Sequence, residues 1–235
     1  MTESDIDELF AETLQGDYDD DKPWNAVRTL RSIGTRQVFD KAVDRIESIE
    51  PLERARGIDV IAQLGKTAEH PSNSFPQESY DVVVKALQRE REAQPLNSAI
   101  SALGHIGDAR GVPVIAAFHS HPSREIRFAV ACALGSFPNE QLSIETLLIL
   151  MEDADADVRD WATFGIGVLG DQDSPEIRQA LSRRVNDDDV NTREEALVGL
   201  AKRRDTSILP QLIRALEQRN ISVPVVEAEI GRAHV

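Results

Sequence analysis

The chain has 235 residues, 41 acidic against 26 basic, and a formal net charge of −15. That field opposes the phosphate backbone of nucleic acid, which is bound by Lys and Arg, and favours a basic partner. No run of about 20 apolar residues is present, so a membrane span is excluded, and one cysteine, Cys132, leaves no internal disulfide and suits a reducing compartment. The opening MTESDIDELF has neither a basic start nor an apolar core of the kind a secretory signal needs, so the expectation is a cytoplasmic protein.

In chain order, residues 3–15 predict an amphipathic helix with Ile6, Leu9, Phe10 and Leu14 on one stripe and Thr2 or Ser4 as its cap. The acidic run GDYDDDKP, Gly16 to Pro23, reads as a solvated loop; it lacks the spacing and closing Glu of a calcium-binding EF-hand. Residues 1–22 are therefore expected to form an N-terminal capping helix and loop, and residues 23–235 a repeat array.

The array is read from self-similarity. Val158 to Gly167 is VRDWATFGIG, Ile126 to Gly135 is IRFAVACALG, Pro95 to Gly104 is PLNSAISALG, and Thr192 to Ala201 is TREEALVGLA. Weaker copies end at Gly34, Gly65 and Gly231. Successive anchors at 34, 65, 104, 135, 167, 201 and 231 are 31, 39, 31, 32, 34 and 30 residues apart. A second apolar helix pattern lies between anchors, as in Val38-Phe39-Ala42-Val43-Ile46, Ile144-Leu147-Leu148-Met151, Ile177-Leu181-Val185 and Leu209-Leu212-Ile213-Leu216. Each unit is thus two short helices that bury their faces only by stacking on neighbours. Pro113 and Pro210 fall nine residues after their anchors, where the first turn of the second helix tolerates a missing N–H. The long 39-residue interval holds the turn-rich loop His70 to Pro76, whose Phe75 is expected to pack back on the array.

This pattern resembles HEAT repeats of the short kind found in phycobilisome-lyase-like proteins, over about residues 23–235. The resemblance implies an all-α α-solenoid, a right-handed superhelix of antiparallel helix pairs in six to seven repeats, the last incomplete. The stretch Asp157 to Leu216 is also similar to bacterial HEAT-repeat proteins of polymorphic-toxin loci, thought to act as immunity proteins.

On the helix from Val158, residues Val158, Ala162, Gly165 and Leu169 form the apolar stripe, with Asp155 or Asp157 as cap and Gly170-Asp171 as stop. Asp160, Phe164 and Gly167 lie opposite and Trp161 at the flank. In HEAT-like solenoids that face lines the concave groove, which would then present Phe128, Asp160, Trp161, Phe164, Glu194 and Glu195 to a partner. Rings among carboxylates suit a basic protein surface; packing between repeats is the other role open to Trp161. Arg127, Arg159 and Arg193 recur at one position and acidic residues recur in the turns (Asp153, Asp155, Asp157; Asp187, Asp188, Asp189), which predicts a structural Arg–Asp ladder.

No phosphate loop, dinucleotide fingerprint, CxxC, HExxH or His-Glu dipeptide occurs. His105, His119 and His121 match no standard zinc spacing, so no metal or other cofactor is expected, and Cys132 reads as a buried inert thiol. The expectation is a monomeric, non-catalytic protein-binding module: an immunity protein or adaptor gripping a basic protein, with no nucleic acid or membrane partner. The alternatives are a HEAT-like enzyme of bilin-lyase or DNA-glycosylase type, and a general scaffold binding a peptide.

Overall fold

Short amphipathic helices with polar stops between them dictate the architecture, and the computed structural model describes it for residues 2–211 and 213. The anchor at Gly231 and the positions Leu212 and Leu216 lie outside the described residues. Helix α1 (Glu3–Glu12) opens on a capping box in which Thr2 and Asp5 satisfy each other's backbone N–H groups, and it buries Ile6 and Phe10. It packs on α2 (Asp21–Ile33), which ends at Gly34 in the left-handed conformation. Then come α3 (Arg36–Ile46), α4 (Pro51–Ala62), α5 (Pro76–Arg89), α6 (Ala93–Ile106) and the short α7 (Val112–Ala116), with Pro113 in its first turn. The second half holds α8 (Arg124–Gly135), α9 (Gln141–Leu150), α10 (Ala156–Phe164), α11 (Pro175–Arg184) and α12 (Val190–Lys202). No strand occurs among the described residues. The fold is an all-α, HEAT-like solenoid of helix pairs.

The chain divides into two compact units, Met1–Ile115 and Ala116–Val235. In the first, α4 packs against α2, α3 and α6, and α5 against α6. In the second, α10 lies between α8 and α12, with α9 and α11 behind. The even-numbered helices carry the repeated motif and the odd-numbered ones the second apolar pattern.

In three repeats one arginine ties the motif helix to the turn that starts the next. Arg127 on α8 forks onto Asp153 after α9, with Nε–Oδ2 2.7 Å and Nη2–Oδ1 2.9 Å. Arg159 on α10 forks onto Asp187 after α11 at 2.9 and 2.8 Å. Arg54 on α4 forks onto Glu90 after α5 at 2.8 and 3.1 Å. In each case Nη1 also donates to two carbonyls of the turn before its own helix: Ser48 and Ile49, His121 and Pro122, or Asp153 and Ala154. Arg193 makes the same pair of bonds to Asp187 and Asp188. The carboxylates complete the joint by accepting backbone N–H groups two residues on, from Glu92, Asp155 and Asp189. The sequence aligns Leu96 and His121 with these rungs, and those side chains cannot form the fork. His121 keeps part of the joint, accepting the Ser123 N–H at Nδ1.

Two expectations about the central motif helix are corrected. After Phe164 the helix widens to a π turn, Gly165–Leu169, in which the Gly170 N–H donates to the Gly165 carbonyl at 2.9 Å. The extra residue rotates everything beyond it. Leu169, expected in the buried stripe, is 42% exposed, and Ile166 takes the core position at 2%. Gly167, expected on the open face, is buried between α10 and α12, where a Cβ would lie 2.8 Å from the Glu195 carbonyl. Gly199 faces it, with a notional Cβ 2.6 Å from the Gly167 Cα. Gly170 ends the helix in an extended conformation, φ −78° and ψ 142°, so it is no left-handed stop. Asp155 is the N-cap, accepting from the N–H groups of Asp157 and Val158.

The close approach and the fork each have a stability signature. Gly199→Ala must push α12 off α10, because backbone atoms cannot rotate away, and denaturant unfolding should show a loss of about 2 kcal/mol. Arg159→Ala should lose about 3 kcal/mol and Arg159→Lys a smaller part, since an ammonium keeps the charge without the fork. The Arg159 guanidinium, with the Asp189 N–H and the Arg184 charge behind it, overcomes burial and holds the Asp187 carboxyl down at about 2. Its stabilisation is therefore complete above the ordinary carboxylate range and is lost as pH falls through about 2. Arg159→Ala should flatten that part of the acid-unfolding curve.

Candidate partner-binding site

The ladder fixes the helical phase of the residues just beyond each arginine. Phe128, Asp160 and Glu194 come one residue after their rung, Trp161 and Glu195 two, and Phe164 five. They lie on the three motif helices α8, α10 and α12, successive neighbours in the second unit.

The rings come together. The Trp161 indole meets Phe128 edge to face at 5.9 Å and 83°, and Phe164 at 5.6 Å and 77°. Trp161 is 40% exposed, while the two phenylalanines are partly buried beside it. Packing alone does not consume the indole: much of it faces solvent, with two near-perpendicular ring contacts holding its orientation.

Asp160 and Glu195 form an uncompensated acidic pair. Asp160 Oδ1 is shut off from solvent without a hydrogen-bond partner. Burial pushes its carboxyl up to about 6, with the charges of Asp189, Asp157 and Asp187 adding to the effect. Burial likewise raises Glu195 to about 7, and Asp160 and Glu194 repel its ionised form. Among the described residues, no ion pair engages Asp160, Glu194 or Glu195, although the turns nearby are full of them. Cys132 lies on the Phe128 side of α8, four residues on. Burial and the Asp160 charge push its thiol up to about 12, which leaves it protonated and unreactive at neutral pH.

The six residues singled out in the sequence thus fall into two linked groups, rings on α8 and α10 and carboxylates on α10 and α12. No cluster of three His, Cys, Asp or Glu fit for a metal is found among the described residues. His119 Nδ1 lies 2.9 Å from the Ala116 carbonyl, and His121 serves its own turn.

A second polar centre lies in the first unit and was not expected from the sequence. The acidic loop is not wholly solvated. Asp17, Asp19 and Asp20 are exposed, but the Tyr18 hydroxyl donates to Asp59 at 2.8 Å and lies 3.1 Å from the Ser98 hydroxyl. Arg56, buried, donates to the carbonyls of Thr13 and Tyr18 at 2.9 and 2.7 Å. Arg31 donates twice to the Asp59 carbonyl. The available signal was Arg56 and Asp59 standing inside the otherwise apolar run ARGIDVIA. Phe75 packs back on Phe39 at 5.2 Å, as its loop implied.

Known proteins share this architecture. The family model for HEAT repeats matches residues 80–167 and again 144–229. Protein YibA of Escherichia coli K12 is 32% identical over 111 residues, 46% of this chain and 39% of its own length. Phycocyanobilin lyase subunit alpha of Thermosynechococcus vestitus is 25% identical over 148 residues, 62% of this chain and 53% of its own. The chain therefore spans only part of the length of the curated relatives it matches. Among solved structures, the X-ray structure of the Escherichia coli YibA protein aligns with a TM-score of 0.75 at 20% identity, over 96% of this chain and 82% of that one. A designed armadillo repeat protein aligns at 0.56 and 16% identity, over 84% and 98%. The repeat motif, the helix pairs and these matches agree, and the chain belongs to the HEAT-repeat family.

Proposed function

We propose that this protein is a non-catalytic binding module whose α8–α10–α12 face grips a basic segment of a protein partner. The observation that carries the reading is the contrast between two sets of carboxylates. Those of the turns are neutralised by arginine forks. Asp160 and Glu195 stand half-buried beside an exposed indole with no cation, at a cost to the folded state. A cost held at a surface without a structural return is the signature of a binding site. The designed armadillo neighbour was solved with the peptide (KR)4, a basic ligand on a related architecture, and this supports the choice of partner chemistry. The narrower form of the reading is an immunity protein or adaptor covering a basic partner; a general peptide-binding scaffold is the broader one. The relationship to a phycocyanobilin lyase subunit favours one alternative, a role in chromophore attachment. Titration with bilin, monitored by absorbance, separates the two.

The binding test is a titration with the peptide (KR)4 at low salt. Affinity should rise between pH 5.5 and pH 8 as the pair ionises, fall with added salt, and drop at least about tenfold in Trp161→Ala combined with Glu195→Lys. A pH-independent affinity indifferent to both substitutions would refute the reading. Stability should move the opposite way. The raised carboxyls leave stability intact below the ordinary carboxylate range and remove it as pH rises through about 6 and 7. Asp160→Asn should therefore gain on the order of 1 kcal/mol at pH 8, after discounting for the solvent around a half-exposed group, and nothing at pH 4.

A further inference from the structure

The first unit contains, filled, the kind of site that the second unit leaves open. Arg56 stands two residues after the rung arginine Arg54, the phase that Trp161 holds after Arg159. Its guanidinium carbon lies 4.0 Å from the Tyr18 ring centroid and 4.9 Å from that of Trp24. Those two rings form a corner, 5.6 Å apart at 84°. The Asp59 carboxylate closes the site, with Oδ2 3.5 Å from Arg56 Nη1. An arginine is thus held between two perpendicular rings against a buried acid, and residues 13–24 of the chain itself supply the rings and two carbonyls.

The second unit also brings rings together near a right angle, with Trp161 at the Arg56 phase and no cation on the rings among the described residues. Trp161 and Phe164 meet at the same 5.6 Å and at 77°, and Phe128 meets the indole at 5.9 Å and 83°. Asp160 on α10 and Glu195 on α12, close enough to repel, are half-buried carboxylates that carry no ion pair among the described residues. All of the cation–ring contacts found among the described residues, from Arg45 over Phe10 to Arg110 over Tyr80, belong to the first unit. Among the described residues no donor engages Asp160; its Oδ1 is closed to solvent, so a partner's N–H would meet the other oxygen.

We infer that the Trp161 corner takes one arginine side chain of the partner, its guanidinium against the indole and its N–H groups on Asp160 and Glu195. This rests on the proposed basic-partner reading and narrows it. A planar guanidinium stacks on a ring and reaches two acceptors at once; an ammonium is a hydrated point charge that does neither as well. Two carboxylates rather than one also suit a cation arriving from outside, since the site must offset the water that the guanidinium gives up.

The test uses the full chain at pH 8 and low salt, with two octapeptides of equal charge, one alternating Arg and Gly, the other Lys and Gly. Calorimetric titration should find the arginine peptide bound about tenfold tighter. Trp161→Ala and Asp160→Asn should each bring it down to the level of the lysine peptide, and Trp161→Phe should keep part of the difference. A cooperative unfolding transition well above the titration temperature in every variant would separate lost binding from lost folding. Equal affinities for the two peptides, or a preference untouched by Trp161→Ala, would overturn the arginine site and leave the basic-partner reading standing. Failure of both peptides to bind would overturn both.

Discussion

A guanidinium fork between a motif helix and the turn that begins the next one is the joint on which the described structure depends. Hydrophobic stacking of Val158, Ala162, Ile166 and their counterparts buries the faces but would tolerate sliding by a residue or a small rotation. The fork does not. Arg159 is held at both ends, by two carbonyls before its own helix and by both oxygens of Asp187, and Asp187 in turn caps the Asp189 N–H. Charge-assisted, two-point bonds of this kind are directional as well as strong. Where present they set the phase of the motif helix, and with it the approach of Asp160 on α10 to Glu195 on α12.

The same joint explains the economy of charge. A chain with 15 more acidic than basic residues must place its carboxylates somewhere, and many of those described are engaged by arginines or by helix N-termini. Asp160 and Glu195 are exceptions that burial makes unfavourable. The glycines at Gly167 and Gly199 sharpen this. They let α10 and α12 approach closely, which brings the two acids near enough to repel. Close packing and the acidic pair are therefore one arrangement rather than two.

Much of this was legible in the sequence, because it is local or periodic. The anchors marked the motif helices, the apolar pairs between them marked their partners, Pro113 marked a first turn, and the recurrence of Arg127 and Arg159 against turn aspartates marked the ladder, of which Arg193 keeps only the two carbonyl bonds among the described residues. The departures share a cause. A strict 3.6-residue period carries no sign of a π turn, so Leu169 and Gly167 exchanged their expected roles. Tyr18 sits in an acidic run whose composition says solvent, and only the tertiary neighbours Arg56, Asp59 and Ser98 draw it in. The ring triplet was visible as residue types. Its perpendicular geometry and the missing donor at Asp160 were not, because both depend on how α8, α10 and α12 come together.

If this protein neutralises its structural carboxylates and leaves one pair free for a partner, the two sets must ionise in different pH ranges. Site-resolved titration of the side-chain carboxyl groups by nuclear magnetic resonance tests that most directly. Midpoints near 6 for Asp160 and near 7 for Glu195 are expected, against about 2 for Asp187. All three titrating together in the ordinary carboxylate range, near about 4, would contradict it.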